Sequence, residues 1–367
     1  MTATEAPGTP VQGVTLYSFT RAFHARRYPL DALVREVARR GLGPGLEVVG
    51  FQSFKGFPHL DTDAVAGLRA LVDETGLVPT CLSANADAGL RRDRMLTDDE
   101  LVDYMRPQIA VAAELGFPVV RVQISLTPDD MERLLPVAER YGVRLGLEIH
   151  SHQHPRHPRI RALLERYEKL GSPLLGFVPD WGASLRAVPS TLLRRYRREG
   201  YDEELLDGLA ALWRQHHAEG PSMTEPQHGR WFGQVMQLAH RHGAGDRAIE
   251  MAVNVTGLFG HAPASDWADV LPWTVHTHGK FYEIDGAGDE PSVPVRELIE
   301  LWVRSGYSGA ISAEWEGFHW NDWDDPFDQV AGLQALVRDG AHRAGSAVVT
   351  DPARARELIR PFRGGDR

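Results

Sequence analysis

The stretch LGLEIHSHQHPRH, Leu145 to His157, ends an apolar run with a carboxylate and an imidazole two residues apart, Glu148 and His150. Residues i and i+2 of an extended strand share a face, so the two point the same way. Such a pair can bind a metal, move a proton, do both, or form an ordinary buried pair. Three later stretches carry groups of the same kind. LLGFVPD ends in Asp180, TVHTHGKFYEID puts His276, His278 and Lys280 on one face, and AISAEWEG puts Glu314 and Glu316 on one face. Polar side chains turned into a closed interior are unfavourable unless they bind something. His278, nearer the strand exit, is the expected ligand. His276 reads as a supporting or layer-filling histidine, and Lys280 as a group that meets substrate oxygens. Glu314 is preferred to Glu316 because Ala310 and Ser312 before it suit interior layers. Singly, each residue has a plain structural explanation, since a strand-end aspartate usually caps the next helix. Together, two glutamates, an aspartate and a histidine suit a divalent cation, manganese first, with magnesium, cobalt, iron or zinc also accommodated.

The elements that must position these groups are legible as short apolar runs, each followed by a helical pattern. Strands are expected near Val14–Phe19, Leu46–Phe51, Val78–Ala84, Pro118–Ile124, Arg144–His150, Leu174–Asp180, Trp273–Tyr282 and Ala310–Glu316. Stretches such as LDALVREVARR and DAVAGLRALVDETG have apolar residues at helical spacing, and Gly76 and Gly116 stand where helix C-caps are expected. Eight strands alternating with helices predict an α/β fold, a (β/α)8 TIM barrel. A doubly wound open sheet is the rival, but neither of its usual phosphate loops is present. The convergence of Glu148, Asp180, His278 and Glu314 at strand C-terminal ends also favours a barrel mouth. The stretch between the sixth and seventh strands is about three times what a βα unit needs. A helical insertion at about 185–268 is therefore expected within a single barrel domain, 10–345, as a surface elaboration, a lid or a docking element. Arginines 194, 195, 197 and 198 read as a solvated helix face, and 346–367 as a short helix and basic tail.

The chain has 367 residues, a net charge of −10 and a single cysteine, Cys81. The charge argues against nucleic-acid or membrane-surface partners. One cysteine excludes an intramolecular disulfide framework, and no apolar run is long enough to span a membrane. With no secretory signal in MTATEAPGTP, a cytoplasmic protein is expected.

The order Glu, Asp, His, Glu on late strands, with an H-x-H-x-K seventh strand, resembles the xylose isomerase-like barrels over roughly residues 13–340, outside the insertion. That superfamily includes ketose 3-epimerases, inosose dehydratases and a metal-dependent DNA-repair endonuclease. Many ketose epimerases have a histidine three positions after the aspartate; here WGAS puts Ala183 there. LEIHSHQHP, FVPDWGAS, VHTHGKFYEID and SAEWEG together look like the large (alpha) subunit of bacterial C-glycoside deglycosidases. This resemblance implies cleavage of 3-oxo-C-glycosides with a small beta subunit as obligate partner, in a hetero-oligomer. Carried over residue by residue, it implies manganese on Glu148, Asp180, His278 and Glu314, and His150 as base.

The expected reaction is a carbon–carbon lyase step. A 3-keto group acidifies the C2 proton, a metal stabilises the enolate, His150 takes the proton, and elimination expels the aglycone. Lys280 and His276 are the next candidates for the base; no acid for the departing carbon is identified. The alternative is a sugar isomerase or ketose 3-epimerase acting through a metal-bound enediolate. A nuclease is disfavoured by the charge and by strands two to four, which offer only His59, in a loop. A bare sugar-binding module is disfavoured by the complete ligand quartet. His152, His154 and His157 read as loop residues. Tyr17, Phe51 and Gln123 are candidates to shape the sugar pocket. Trp315, Phe318, Trp320 and Trp323 form an aromatic cluster that could be a rim for a planar polyphenol, a core under a loop or a subunit interface.

Overall fold

The computed structural model describes residues 6–123 and 125–362. Its eight strands are β1 (Val11–Thr15), β2 (Gly45–Val49), β3 (Val78–Ser83), β4 (Val119–Val122), β5 (Arg144–Ile149), β6 (Leu175–Pro179), β7 (Thr277–Phe281) and β8 (Ala310–Trp315). All pairings are parallel, in the order β6-β5-β4-β3-β2-β1-β8-β7. The two ends of that sheet meet through bridges at Phe177–Thr274 and Asp180–His278, which close the cylinder. The (β/α)8 barrel is therefore observed. Its strands are buried on both faces, which explains why they read as continuous apolar runs rather than alternating ones.

Surrounding helices start and stop on local signals. Thr97 and Glu100 form a capping box at helix Asp98–Leu115, and Asp61 accepts from the Ala64 amide at 2.7 Å to open helix Thr62–Thr75. Gly76 and Gly116 end these helices with φ of 71° and 90°, conformations that disfavour any residue with a Cβ. At the N-terminal end of the barrel, Val11, Val78 and Ala310 pack on Ala355 of helix Pro352–Leu358, so the tail plugs that opening.

Two expected strands differ in position. β1 ends at Thr15, whose side chain accepts from the Tyr17 amide and turns Leu16–Phe19 into a short 3-10 helix. Tyr17 thus lies beyond the strand rather than on it. The seventh strand begins at Thr277 rather than Trp273, because Leu271–Trp273 coil into a 3-10 turn and the next residues touch β6 only at bridges. Ile124, at the expected end of the fourth strand, lies outside the described residues, as do the last five residues of the tail.

Helices Ser190–Arg198, Glu203–Glu219, Glu225–Arg241 and Arg247–Val253 stand between β6 and β7. The chain leaves and returns side by side: the Leu185 amide donates to the Gly260 carbonyl at 2.7 Å, and a Cβ at Gly260 would lie 2.7 Å from the Ala183 backbone. Only glycine permits that approach. Trp213 and Trp231 are buried in this segment, and Trp213 leads through Phe259 and Tyr282 to Trp320, so its core is continuous with the barrel's. Among the described residues no helix is long and apolar enough to cross a membrane.

Candidate metal centre

Glu148 on β5, Asp180 just past β6, His278 on β7 and Glu314 on β8 each offer a donor atom, and all four atoms lie within 4.8 Å of one another. His278 stands at the centre. Its Nδ1 is 2.7 Å from Glu148 and 3.4 Å from Glu314, while its Nε2 donates to Glu47 at 3.0 Å. Both nitrogens donate to carboxylates here, Nε2 to Glu47 and Nδ1 to Glu148, so a cation would take the place of the proton on Nδ1 while Glu47 keeps the one on Nε2. Asp180 is oriented by the Gly182 amide, 2.7 Å from Oδ1.

The quartet is buried, and its electrostatics bear on what it can hold. Burial pushes the Glu314 carboxyl up to about 8, against the pull of His278 and Lys280, and its Oε2 makes no hydrogen bond. Burial acts the same way on Glu148, but Arg121 and His278 overcome it and hold that carboxyl below the usual range. A buried, unsatisfied carboxylate oxygen beside three other donors fits a divalent cation, which would complete the charge balance that protons now supply.

Two residues not expected from the sequence, Glu47 and Arg121, also line the centre. Glu47 of β2 is fully buried and accepts from Ser83 at 2.6 Å, His276 at 2.9 Å and His278 at 3.0 Å. The two imidazoles, His278 foremost, outweigh its burial and hold its carboxyl well below the usual range. Arg121 of β4 is buried with its Nε 3.8 Å from Glu148. The signal was a lone charge inside an apolar run, in GLEVVG and VVRVQI, because a charged residue in a strand covered on both faces must have a partner.

Above the quartet, Lys280 Nζ lies 2.6 Å from Asp180 and 3.1 Å from Glu316. Burial lowers its affinity for a proton, but these two carboxylates hold the ammonium well above the usual lysine range. Its ammonium is positioned as a donor between the two carboxylates. Its side chain runs where 182 has no side chain, since a Cβ there would lie 2.5 Å from Lys280 Cδ. His276 sits deeper, bonded to Glu47 and to Ser312 at 3.0 Å, and does not reach the mouth. His150 does: its side chain is 24% exposed, with Nε2 3.7 Å from Asp180. Its Nδ1 lies 2.5 Å from the Ser151 carbonyl. That contact places the proton on Nδ1 and leaves Nε2 as the basic nitrogen.

Tyr17 is half-buried against Phe318, and burial followed by Glu316 and Glu314 raises its phenol. Phe51 is 52% exposed on a helical turn after β2, so it is a rim residue rather than part of the pocket. Gln123 is used by the Ala86 amide at 3.2 Å. Trp315, Phe318 and Trp320 are buried: Trp315 donates to the Tyr282 carbonyl and Trp320 to Thr191. They are core under a loop, not an open aromatic rim. Trp323 lies under Arg198, 4.0 Å from its ring centre, so part of the arginine run packs instead of facing only solvent. His154 is buried and meets the Ser222 carbonyl at 3.2 Å, and His157 caps helix Pro158–Leu170.

Comparison with known proteins supports the same direction. A model of the family described as Xylose isomerase-like TIM barrel matches residues 44–199. The C-glycoside deglycosidase alpha subunit of Arthrobacter globiformis is 56% identical over 363 residues, 97% of this chain and 99% of that one. The 3'-dehydrocarminate deglycosidase alpha subunit of a Microbacterium species is 52% identical over 329 residues, 90% and 94% of the two chains. A solved xylose isomerase domain protein from Planctomyces limnophilus shares the fold, with a TM-score of 0.51 at 13% identity over 92% of this chain and 99% of that one. With eight parallel strands closed into a barrel and relatives matched along nearly their whole length, the chain belongs to the family of C-glycoside deglycosidase alpha subunits, enzymes of C-glycoside cleavage.

Proposed function

We propose that this barrel cleaves the C-glycosidic bond of 3-oxo-C-glycosides, together with a small partner subunit, at the centre formed by Glu148, Asp180, His278 and Glu314. The observation that carries the reading is the placement of His150 Nε2, the basic nitrogen, at the open side of a buried donor quartet. Glu148, Asp180, His278 and Glu314 would hold a divalent ion, manganese in our reading, which would supply Lewis acidity to stabilise the developing enolate. His150 Nε2 takes the C2 proton, which the ketone has acidified, and Asp180 faces the imidazolium that results. The electron pair forms the C1–C2 double bond as the C1–aglycone bond breaks; the electrons of that bond leave on the aglycone carbon, which takes a proton from solvent to give the free aglycone. Lys280, fixed by Asp180 and Glu316, donates to a sugar oxygen. The relative named for 3'-dehydrocarminate carries an oxidised sugar in its name, which supports the ketone requirement. The designation alpha subunit in the relatives' names supports the partner.

The test pairs the chain with its partner subunit and offers a 3-oxo-C-glucoside beside the unoxidised glucoside. Free aglycone is expected from the first alone, and chelation should abolish its release. His150→Ala should keep the metal yet lose about 100- to 10,000-fold in turnover, along with solvent deuterium exchange at C2. Interconversion of free ketoses by the chain alone, with every 3-oxo-glycoside ignored, would replace this reading with that of an epimerase.

A further inference from the structure

A second group of metal-ligating side chains lies where the insertion meets the barrel. Glu225 and His228 open helix Glu225–Arg241, and their i, i+3 spacing puts them on one face. His152, in the loop after β5, reaches that face. Its Nε2 is 3.1 Å from Glu225, and its ring stacks on His228 with centroids 3.9 Å apart. One donor atom from each of the three lies within 4.8 Å of the others. His228 Nε2 donates to the Thr256 carbonyl at 3.0 Å, which leaves Nδ1 as the nitrogen with a lone pair. A carbonyl behind an imidazole in this way is the usual device that fixes the tautomer of a ligating histidine. The Glu225 ion pair is with His152, so binding there need not displace a fixed arginine or lysine.

We propose that His152, Glu225 and His228 form a second metal site, of the zinc class, that pins the insertion to the loop carrying His150. Two imidazoles and one carboxylate are a softer donor set than the oxygen-rich quartet and favour Zn2+ over Mn2+. Three protein ligands leave a fourth position for water. The ion takes the place of the proton held between His152 and Glu225. His152 must leave its stack on His228 for both lone pairs to meet the ion in their ring planes. Its side chain is 28% exposed. Occupation joins residue 152 to residues 225 and 228, across the segment whose Gly220 and Ser222 carbonyls already receive His261 and His154.

The test counts ions. The full-length chain is stripped with a chelator, dialysed against Zn2+, desalted and analysed for zinc, beside a His152→Ala/His228→Ala double variant and Glu148→Gln. The double variant should hold one zinc ion per chain fewer than the wild type, and Glu148→Gln should retain that ion. Equal zinc in the wild type and the double variant overturns the proposal whatever the quartet holds, so its failure is distinct from failure of the quartet. Circular dichroism of the metal-free proteins checks that the variants fold; if the double variant does not, Glu225→Gln, at an exposed position, carries the same comparison. As a second readout, Zn2+ should slow proteolytic cleavage around residues 220–224 in the wild type and not in the variant. Equal protection in both would also overturn it.

Discussion

Glu47 is the residue through which the interior of the barrel controls its mouth. It is fully buried, yet its carboxylate is satisfied by Ser83, His276 and His278, and it presents the Nδ1 face of His278 to the quartet. A carboxylate behind a ligating imidazole fixes the ring and raises its basicity, and loss of such a partner typically weakens metal binding about 10- to 100-fold. Glu47→Gln keeps the shape but sets an amide N–H where an acceptor is needed. Calorimetric titration with Mn2+ should show weaker binding within that range and an unchanged fold; unaltered affinity would remove Glu47 from this role. Gly182 is a second control point. A Cβ there would meet Lys280 Cδ at 2.5 Å and Asp180 Oδ1 at 3.0 Å. Gly182→Ala should therefore displace the Lys280–Asp180 pair and lower turnover more than it lowers thermal stability.

At the level of elements, neutral imidazoles fasten the insertion, His154 from the β5 loop across to it and His261 between two of its own segments. His154 and His261 meet the carbonyls of Ser222 and Gly220 through Nε2 at 3.2 and 2.9 Å. Burial lowers both to about 4, the carbonyls opposing it only in part. Free imidazole titrates near 6.5, so between that pH and 4 the unfolded segment binds more protons than the folded one. The stability these groups contribute is complete above about pH 6.5 and falls as the pH drops toward 4, by up to ~3 kcal/mol for each. Melting temperature and resistance of the insertion to protease should both decline across that window. Glutamine at both positions, which keeps an N–H donor, should flatten the decline. An equally steep decline in that variant would assign the acid sensitivity to other groups.

For the whole molecule, parallel closure brings the C-terminal ends of β5 to β8 around one mouth, and burial there prevents water from compensating four converging polar groups. Binding only to the folded barrel stabilises it by mass action, about 2.7 kcal/mol at a hundred times the dissociation constant. Mn2+ at that excess should then raise the melting temperature of the intact chain by roughly 3 to 4 °C, and chelator should reverse the gain. The same rise in Glu148→Gln would show that the stabilising ion sits elsewhere.

The sequence by itself determined the parallel barrel, the insertion and the faces of Glu148, His278 and Glu314, because a period of two and an apolar run are local properties of a strand. It also placed Asp180 at the end of its strand, where the following turn holds it. It could not reveal that Glu47 lies against His278, since that contact joins β2 to β7 across the interior and no local pattern encodes it. Whether Trp320 is rim or core was likewise decided by tertiary packing, through its stack on Tyr282 and its bond to Thr191. The shift of β1 turned on a hydroxyl, Thr15, that outcompeted the next ladder bonds. The loop histidines were visible as residues but not as a group. Only the return of helix Glu225–Arg241 over the β5 loop brings His228 against His152, because a helix in an insertion is placed by what it covers, not by what precedes it.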